Sequence, residues 1–220
     1  MNTVIVFAGG EVPPKGVVAD LPTADLIVAA DGGMTVAEAL GIAVDVLVGD
    51  LDSIDPELPG HLIVERHPED KDATDLELAF ELVARDWPER VVVVGGAGGR
   101  ADHEMATASL LCSPRWAPIE EIDWVTGRAR SHVVRGHRQI HGDIGTLISL
   151  IPYGGDAMDV HTKGLRWELD GDTLSAGSTR GVSNLMISPV VDLRVGSGVL
   201  LAVLPGQPSN PAGMEGSRPS

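Results

Sequence analysis

The sequence predicts an α/β fold, with an N-terminal mostly parallel α/β sheet domain followed by a C-terminal antiparallel β-sandwich domain. Three observations predict it. Up to about residue 125, short β-branched runs alternate with segments of helical period. Those runs are apolar throughout, as strands covered on both faces are. After Ser131 the helical periods stop, and short apolar runs recur between Gly/Asp turns. The expected boundaries are 1–128 for the α/β domain, 129–206 for the sandwich and 207–220 for a disordered, Gly/Pro/Ser-rich tail.

Taken in order, residues 4–7, 26–30, 46–48, 62–64 and 91–94 read as strands. Residues 35–40 read as a short helix stopped by Gly41. Residues 74–85 read as a longer helix, with Leu76, Ala79, Phe80 and Val83 on one stripe and Thr74 and Glu77 spaced as a capping box. Residues 102–111 form a third. In the second half, residues 146–151, 165–169, 182–188 and 199–204 read as strands, with Leu165, Trp167 and Leu169 alternating onto one face. On pattern alone Trp167 is then a core residue of the sandwich.

Of 220 residues, 43% are apolar and 22% charged, with 32 acids against 16 bases and a net charge of −16. Such a chain repels a phosphate backbone, so neither nucleic acid nor an anionic membrane is an expected partner. A phosphate ligand would need a metal ion or a local base. The lone cysteine, Cys112, excludes a disulfide framework and a cysteine zinc site, and reads as an inert buried thiol. His132, His137 and His141 are spaced irregularly and read as surface residues. The opening residues read directly as a strand without a basic leader, and no apolar run is long enough to span a bilayer, so the expected location is cytoplasmic.

In a parallel α/β sheet the ligand crevice lies beyond the carboxyl ends of the strands. The residues just past each strand are therefore informative: Gly9-Gly10, Asp31-Gly32-Gly33, Gly49-Asp50-Leu51-Asp52-Ser53, Asp70-Lys71-Asp72-Ala73-Thr74-Asp75, and Gly95-Gly96-Ala97-Gly98-Gly99-Arg100-Ala101-Asp102-His103. Each has a plain structural reading as a turn, a cap or a helix-terminal charge. All five at one edge point to a ligand. Two carboxylates about 5 Å apart repel by roughly 3 kcal/mol at an effective dielectric of 20. Several of Asp31, Asp50, Asp52, Asp72, Asp75 and Asp102 in one crevice therefore call for a cation. With oxygen ligands only, Mg2+ fits.

Gly96-Ala97-Gly98-Gly99-Arg100-Ala101 also matches a loose dinucleotide pattern, with acids at Glu120 and Asp123 beyond it. It comes after the fifth strand instead of the first, which leaves a Rossmann-type NAD(P) oxidoreductase as a rival reading. A non-catalytic sensor of a nucleotide or another small ligand is a second. There is no P-loop motif, so phosphates would be held by metal, by glycine amides and by Lys71 and Arg100.

These motifs in order, with Gly164-Leu165-Arg166-Trp167-Glu168-Leu169 and Gly181-Val182-Ser183-Asn184, resemble the thiamine pyrophosphokinase (thiamine diphosphokinase) family from about Ile5 to Pro205. Leu51, Val44 and Thr107 stand where the family often has Phe, Pro and Asn. The resemblance implies an α/β catalytic domain, a β-sandwich, and a homodimer with thiamine sites at the subunit interface. It implies pyrophosphoryl transfer from ATP to the thiamine hydroxyl, giving thiamine diphosphate and AMP. Carried over by motif, Asp50, Asp52, Asp75, Asp102 and Arg100 are the catalytic set, with Asp50, Asp52 and Asp75 on Mg2+. Asp31, Asp72, Thr74, Gly98, Gly99 and Arg100 lie at the nucleotide. Trp167 stacks on the thiamine ring, with Ser183 and Asn184 nearby.

Overall fold

The computed structural model describes residues 2–50, 60, 62–68, 70–127 and 129–206. The first half builds strands β1 (Thr3–Ala8), β2 (Leu26–Ala30), β3 (Val46–Gly49), β4 (Ile63–Arg66), β5 (Arg90–Gly95) and β6 (Glu121–Val125). Its helices are α1 (Gly33–Leu40), α2 (Asp75–Val83) and α3 (Ala101–Leu111). The six strands lie parallel in the order β6-β5-β1-β2-β3-β4.

The all-apolar β1 is buried along its whole length because each face meets a different layer. Its alternate residues Val4, Val6 and Ala8 join the cluster containing Phe80 of α2 and Leu111 of α3. Ile5 and Phe7 face the other way and pack with Val36, Ala37 and Leu40 of α1. Helix α1 ends at Gly41, left-handed at φ 75°, as the sequence indicates. Thr74 caps α2 by accepting the Glu77 N–H at 3.2 Å. Cys112 is buried at the end of α3, and burial pushes its thiol up to about 12, so it is inert as expected.

The second half comprises β7 (Arg130–Val134), β8 (His137–His141), β9 (Leu147–Pro152), β10 (Ala157–Lys163), β11 (Asp170–Leu174), β12 (Asn184–Leu185), β13 (Val190–Ser197) and β14 (Leu200–Leu204). Strand β7 pairs antiparallel with β6 and carries the first sheet onward as β7-β14-β9-β12, giving ten strands in one sheet. A second sheet, β11-β10-β13-β8, is antiparallel throughout. Ile148, Leu150, Ala202 and Leu204 of the first meet Val160, Val191, Leu193 and Val195 of the second in the sandwich core. Among the described residues no helix is long and apolar enough to cross a membrane.

Of the strand expected over 182–188 only Asn184–Leu185 form a strand, β12, and two further sequence expectations are corrected. Residues 165–169 are not a strand: Leu165 makes only an isolated bridge to Met186. Asn184 displaces the ladder, since its Oδ1 accepts the Trp167 N–H at 3.2 Å and its Nδ2 donates to the Trp167 carbonyl at 2.7 Å. Leu165 and Leu169 still reach the core, but Trp167 is 58% exposed. The second correction is His132, half-buried where a surface position was expected. Its Nδ1 lies 2.6 Å from Asp123, which is 3% exposed in the middle of β6. Arg90 and Arg138 also bind Asp123. Burial alone would raise this carboxyl, but the hydrogen bond with His132 and the charges of Arg138 and Arg90 outweigh it and hold it well below the usual range.

Candidate active site

The parallel strands run β1 to β4 in one direction, and β5 then returns to the other side of β1. The β1/β5 junction is thus the topological switch point, where an open α/β sheet leaves a crevice at its carboxyl edge. A cavity of about 240 Å³ lies there, lined by Gly9, Asp31, Thr74, Asp75, Gly96 and Thr107 among others. A second, of about 190 Å³, adjoins it through Gly9, Gly96 and His103 and extends to Gly99 and Arg100.

Local sequence explains each contributor. Gly95 takes φ 93° at the end of β5, and a Cβ there would fall on the Ala8 carbonyl oxygen, so only glycine lets the loop lie against β1. The Trp124 indole N–H donates to the Gly95 carbonyl at 2.7 Å and fixes the loop's origin. At the end of β3, a Cβ on Gly49 would stand 3.3 Å from Asp31 Cβ and 3.4 Å from Asp75 Oδ1. The missing side chain is what lets Asp31 and Asp75 both lie against the end of β3, where Asp50 follows in sequence.

Three of the expected acids therefore converge. Lys71 joins them, its Nζ 2.6 Å from Asp75 Oδ1 and 3.8 Å from Asp50 Oδ2. Burial would lower the Lys71 ammonium, but its hydrogen bond to Asp75 and the charges of Asp75, Asp50 and Asp31 raise it overall, so it stays charged. Asp31 sits at φ 43°, and its Oδ1 is buried with no hydrogen-bond partner. Asp31 lines the cavity, and an orphaned carboxylate oxygen on it is an acceptor left for a cation or an N–H donor.

Other expected residues lie apart. Asp102 is exposed and forks onto Arg100, at 2.6 Å between Arg100 Nη2 and Oδ2. The hydrogen bond and charge of Arg100 lower its carboxyl. It does not cap α3, whose N-cap is Arg100. Asp72 is exposed on the loop before α2. Gly98 and Gly99 lie in the glycine loop, where the Gly98 N–H points to Glu104 Oε2 at 3.5 Å. Asp52 lies outside the described residues. Among the described residues no three His, Cys, Asp or Glu side chains are grouped as a ready metal cluster.

His103, at the end of the expected edge segment but given no role, and Thr107, not expected there, also line the cavity. Their position four residues apart on α3, just after the glycine loop, was the available signal. The dinucleotide reading loses one of its two acids, because Asp123 is enclosed by arginines inside β6. Trp167, Ser183 and Asn184 gather instead at the far edge, around β12. Arg166 lies over the Trp167 ring at 5.2 Å. Asn184 is buried and serves to hold Trp167. Ser183, exposed at φ 61°, takes its N–H to Ser149 Oγ at 3.1 Å.

Comparison with known proteins bears on both ends. Residues 20–120 match the family model "Thiamin pyrophosphokinase, catalytic domain", and residues 132–200 match "Thiamin pyrophosphokinase, vitamin B1 binding domain". A thiamine pyrophosphokinase 1 of Oryza sativa subsp. japonica is 30% identical over 179 residues, covering 72% of this chain and 65% of its own length, so the chain spans a little under two thirds of that relative. The thiamine pyrophosphokinase of Bacillus subtilis is 27% identical over 218 residues, covering 92% of this chain and 98% of its own. A crystal structure of thiamine pyrophosphokinase from Bacillus subtilis superposes with a TM-score of 0.81 at 24% identity, covering 94% of this chain and all of that one.

Proposed function

The chain belongs to the thiamin pyrophosphokinase family, and from that premise we propose that it transfers the pyrophosphoryl group of ATP to the hydroxyl of thiamine. The observation that carries the reading is the placement of Asp31 and Asp75 on the switch-point cavity beside a glycine loop, with Lys71 linking Asp75 to Asp50. In the reaction the thiamine hydroxyl oxygen bonds to the β-phosphorus. The bond from that phosphorus to the α,β-bridging oxygen breaks, AMP departs with that oxygen, and the hydroxyl proton passes to a carboxylate. Asp75 lines the cavity and the exposed Asp102 does not, so Asp75 is the better placed of the two for that proton.

The donor set fits Mg2+: hard carboxylate oxygens only, one of them buried and unpartnered in Asp31. Asp50 and Asp75, with Asp52, would hold the ion, which supplies charge neutralisation to the triphosphate. The chain's own groups position. The glycine loop offers backbone N–H groups to phosphate oxygens, and Thr74 sits at the positive end of α2. Arg100 reaches the second cavity and can meet charge on the transferred group. Trp167 presents an exposed ring to the heterocycle, with Ser183 and Asn184 around it.

Distance supports a homodimer. Six strand spacings separate β12 from β1 in the ten-stranded sheet, about 29 Å at the usual spacing. Thiamine stacked on Trp167 cannot place its hydroxyl in the cavity of the same chain. A second copy that brings its Trp167 edge to this cavity solves the geometry. Exposed Ile144, Leu147, Val182 and Ile187 accompany Trp167 in that half of the chain and suit contact with such a copy. In this reading residues 1–128 carry the nucleotide and 129–206 carry thiamine and the dimer contact. The net charge of −16 is in keeping with a cytoplasmic enzyme of small molecules, without nucleic-acid or membrane partners.

Incubation with ATP, Mg2+ and thiamine tests the proposal. AMP and thiamine diphosphate should form in equal amounts, and Asp75→Asn should lower the rate at least about 100-fold. Ligand binding without AMP would leave a sensor, and NAD(P) binding in place of ATP would overturn the reading.

A further inference from the structure

We propose that Lys71 is the resting counter-ion of the aspartate site, holding Asp50 and Asp75 together in the absence of a divalent ion and yielding that place when the ion arrives with the nucleotide. The inference rests on the reading of these aspartates as the ion site. Its ground is placement. The ammonium lies between the two carboxylates, 2.6 Å from one and 3.8 Å from the other, with its side chain only 15% exposed. A base displayed for phosphate alone would extend toward the cavity mouth. This one is folded inward, on the loop directly before α2 and four residues ahead of its partner.

The electrostatics require something of the kind. Asp31 and Asp75 approach each other across the bare Gly49, and Lys71 lies within 4 Å of both Asp75 and Asp50, in a chain of net charge −16. Without a cation, that arrangement is self-repelling. A lysine can serve because it is a compact point charge on a flexible stem, able to leave one anion for another. A free divalent ion must displace it and strand it against the incoming charge. An ion that arrives on a triphosphate brings phosphate oxygens to receive the released ammonium. Lys71 therefore weakens the free ion and favours the ion–nucleotide pair, which biases the order of binding.

The test uses Mn2+ as probe, titrated calorimetrically and by its electron spin resonance into the whole chain without nucleotide. Lys71→Met should bind Mn2+ at least about fivefold more tightly than wild type, the lower end of ordinary site coupling. Without metal it should melt at lower temperature, and Mn2+ should raise its melting point more than it raises that of wild type. Its KM for ATP should rise. Lys71→Arg, which keeps the charge, should retain weak Mn2+ binding, and Lys71→Gln provides a second neutral variant should Met not fold. Unchanged or weaker Mn2+ affinity in the neutral variants overturns the proposal. Failure of the underlying reading looks different: Asp75→Asn would then leave Mn2+ binding at the wild-type level.

Discussion

At the scale of single residues, the two aspartates that matter most to the argument do opposite things. Asp31 keeps a buried oxygen without a partner, while Asp123 is saturated by Arg90, Arg138 and His132. The first keeps an unused acceptor beside the cavity, and the second is structural. Because the Asp123 carboxyl is held below its ordinary range, its stabilisation is fully present above the unfolded value near pH 4. It is lost as pH falls from there through the lower folded value. Asp123→Asn leaves the 8% exposed Arg138 short of its main partner and should cost about 3 kcal/mol at pH 7. Urea melts of both proteins between pH 7 and pH 3 check this. The gap between them should be constant down to about pH 4 and narrow below it; a gap that stays constant to pH 3 means the carboxyl is not depressed. Both residues were visible as acids in the sequence, but only the packing tells them apart. Asp31 comes just after a strand and Asp123 lies inside one, and the pattern of β6 hid that because a charged residue interrupts its apolar run.

At the scale of elements, the first five strands and three helices were legible to within a few residues, since continuous apolar runs and a 3.6-residue period leave little ambiguity. The second half was less so. Strand β13 buries Val191, Leu193 and Val195, with Asp192 and Arg194 between them, a period-2 signal that was available but masked by the charged residues alternating with it and the glycines Gly196 and Gly198 at its end. The segment 165–169 misled in the other direction. Its alternation is real, yet one asparagine side chain takes the backbone bonds a partner strand would have made. The candidate site was legible as a set of segments at one sheet edge, whereas its selection was not. Lys71 entered the acid cluster and Asp102 left it for Arg100, choices set by side-chain reach. The loop after β5 shows how tightly an element can be specified. Gly95→Ala places a methyl group on the Ala8 carbonyl at a left-handed φ and should cost at least about 2 kcal/mol of strain. Chemical denaturation would measure it. Nucleotide affinity should fall with stability, because the same peptide begins the glycine loop. A variant as stable as wild type would show that the loop tolerates another path.

At the scale of the whole molecule, the ten-stranded sheet is a ruler. It keeps the switch-point cavity at β1 and the Trp167 edge at β12 six strands apart, so under the proposed function a rigid sheet would not let one chain close its own site. Exchange between copies then has a countable consequence. Asp75→Asn should disable the cavity of its own chain, and Trp167→Ala should disable the ring platform it lends to the other. Each homodimer is inactive, with activity at or below about 1% of wild type. When equal amounts are unfolded and refolded together, half the dimers are mixed. Each mixed dimer carries one site with both defects and one with neither. Activity should return to about one quarter of wild type. Mixing without subunit exchange should give nothing, and the recovered activity should track the mixed-dimer fraction resolved by native mass spectrometry of tagged chains. If refolded mixtures stay as inactive as their parents although mixed dimers form, Trp167 and Asp75 serve the same site from the same chain. The sheet would then have to bend far more than its continuous register allows.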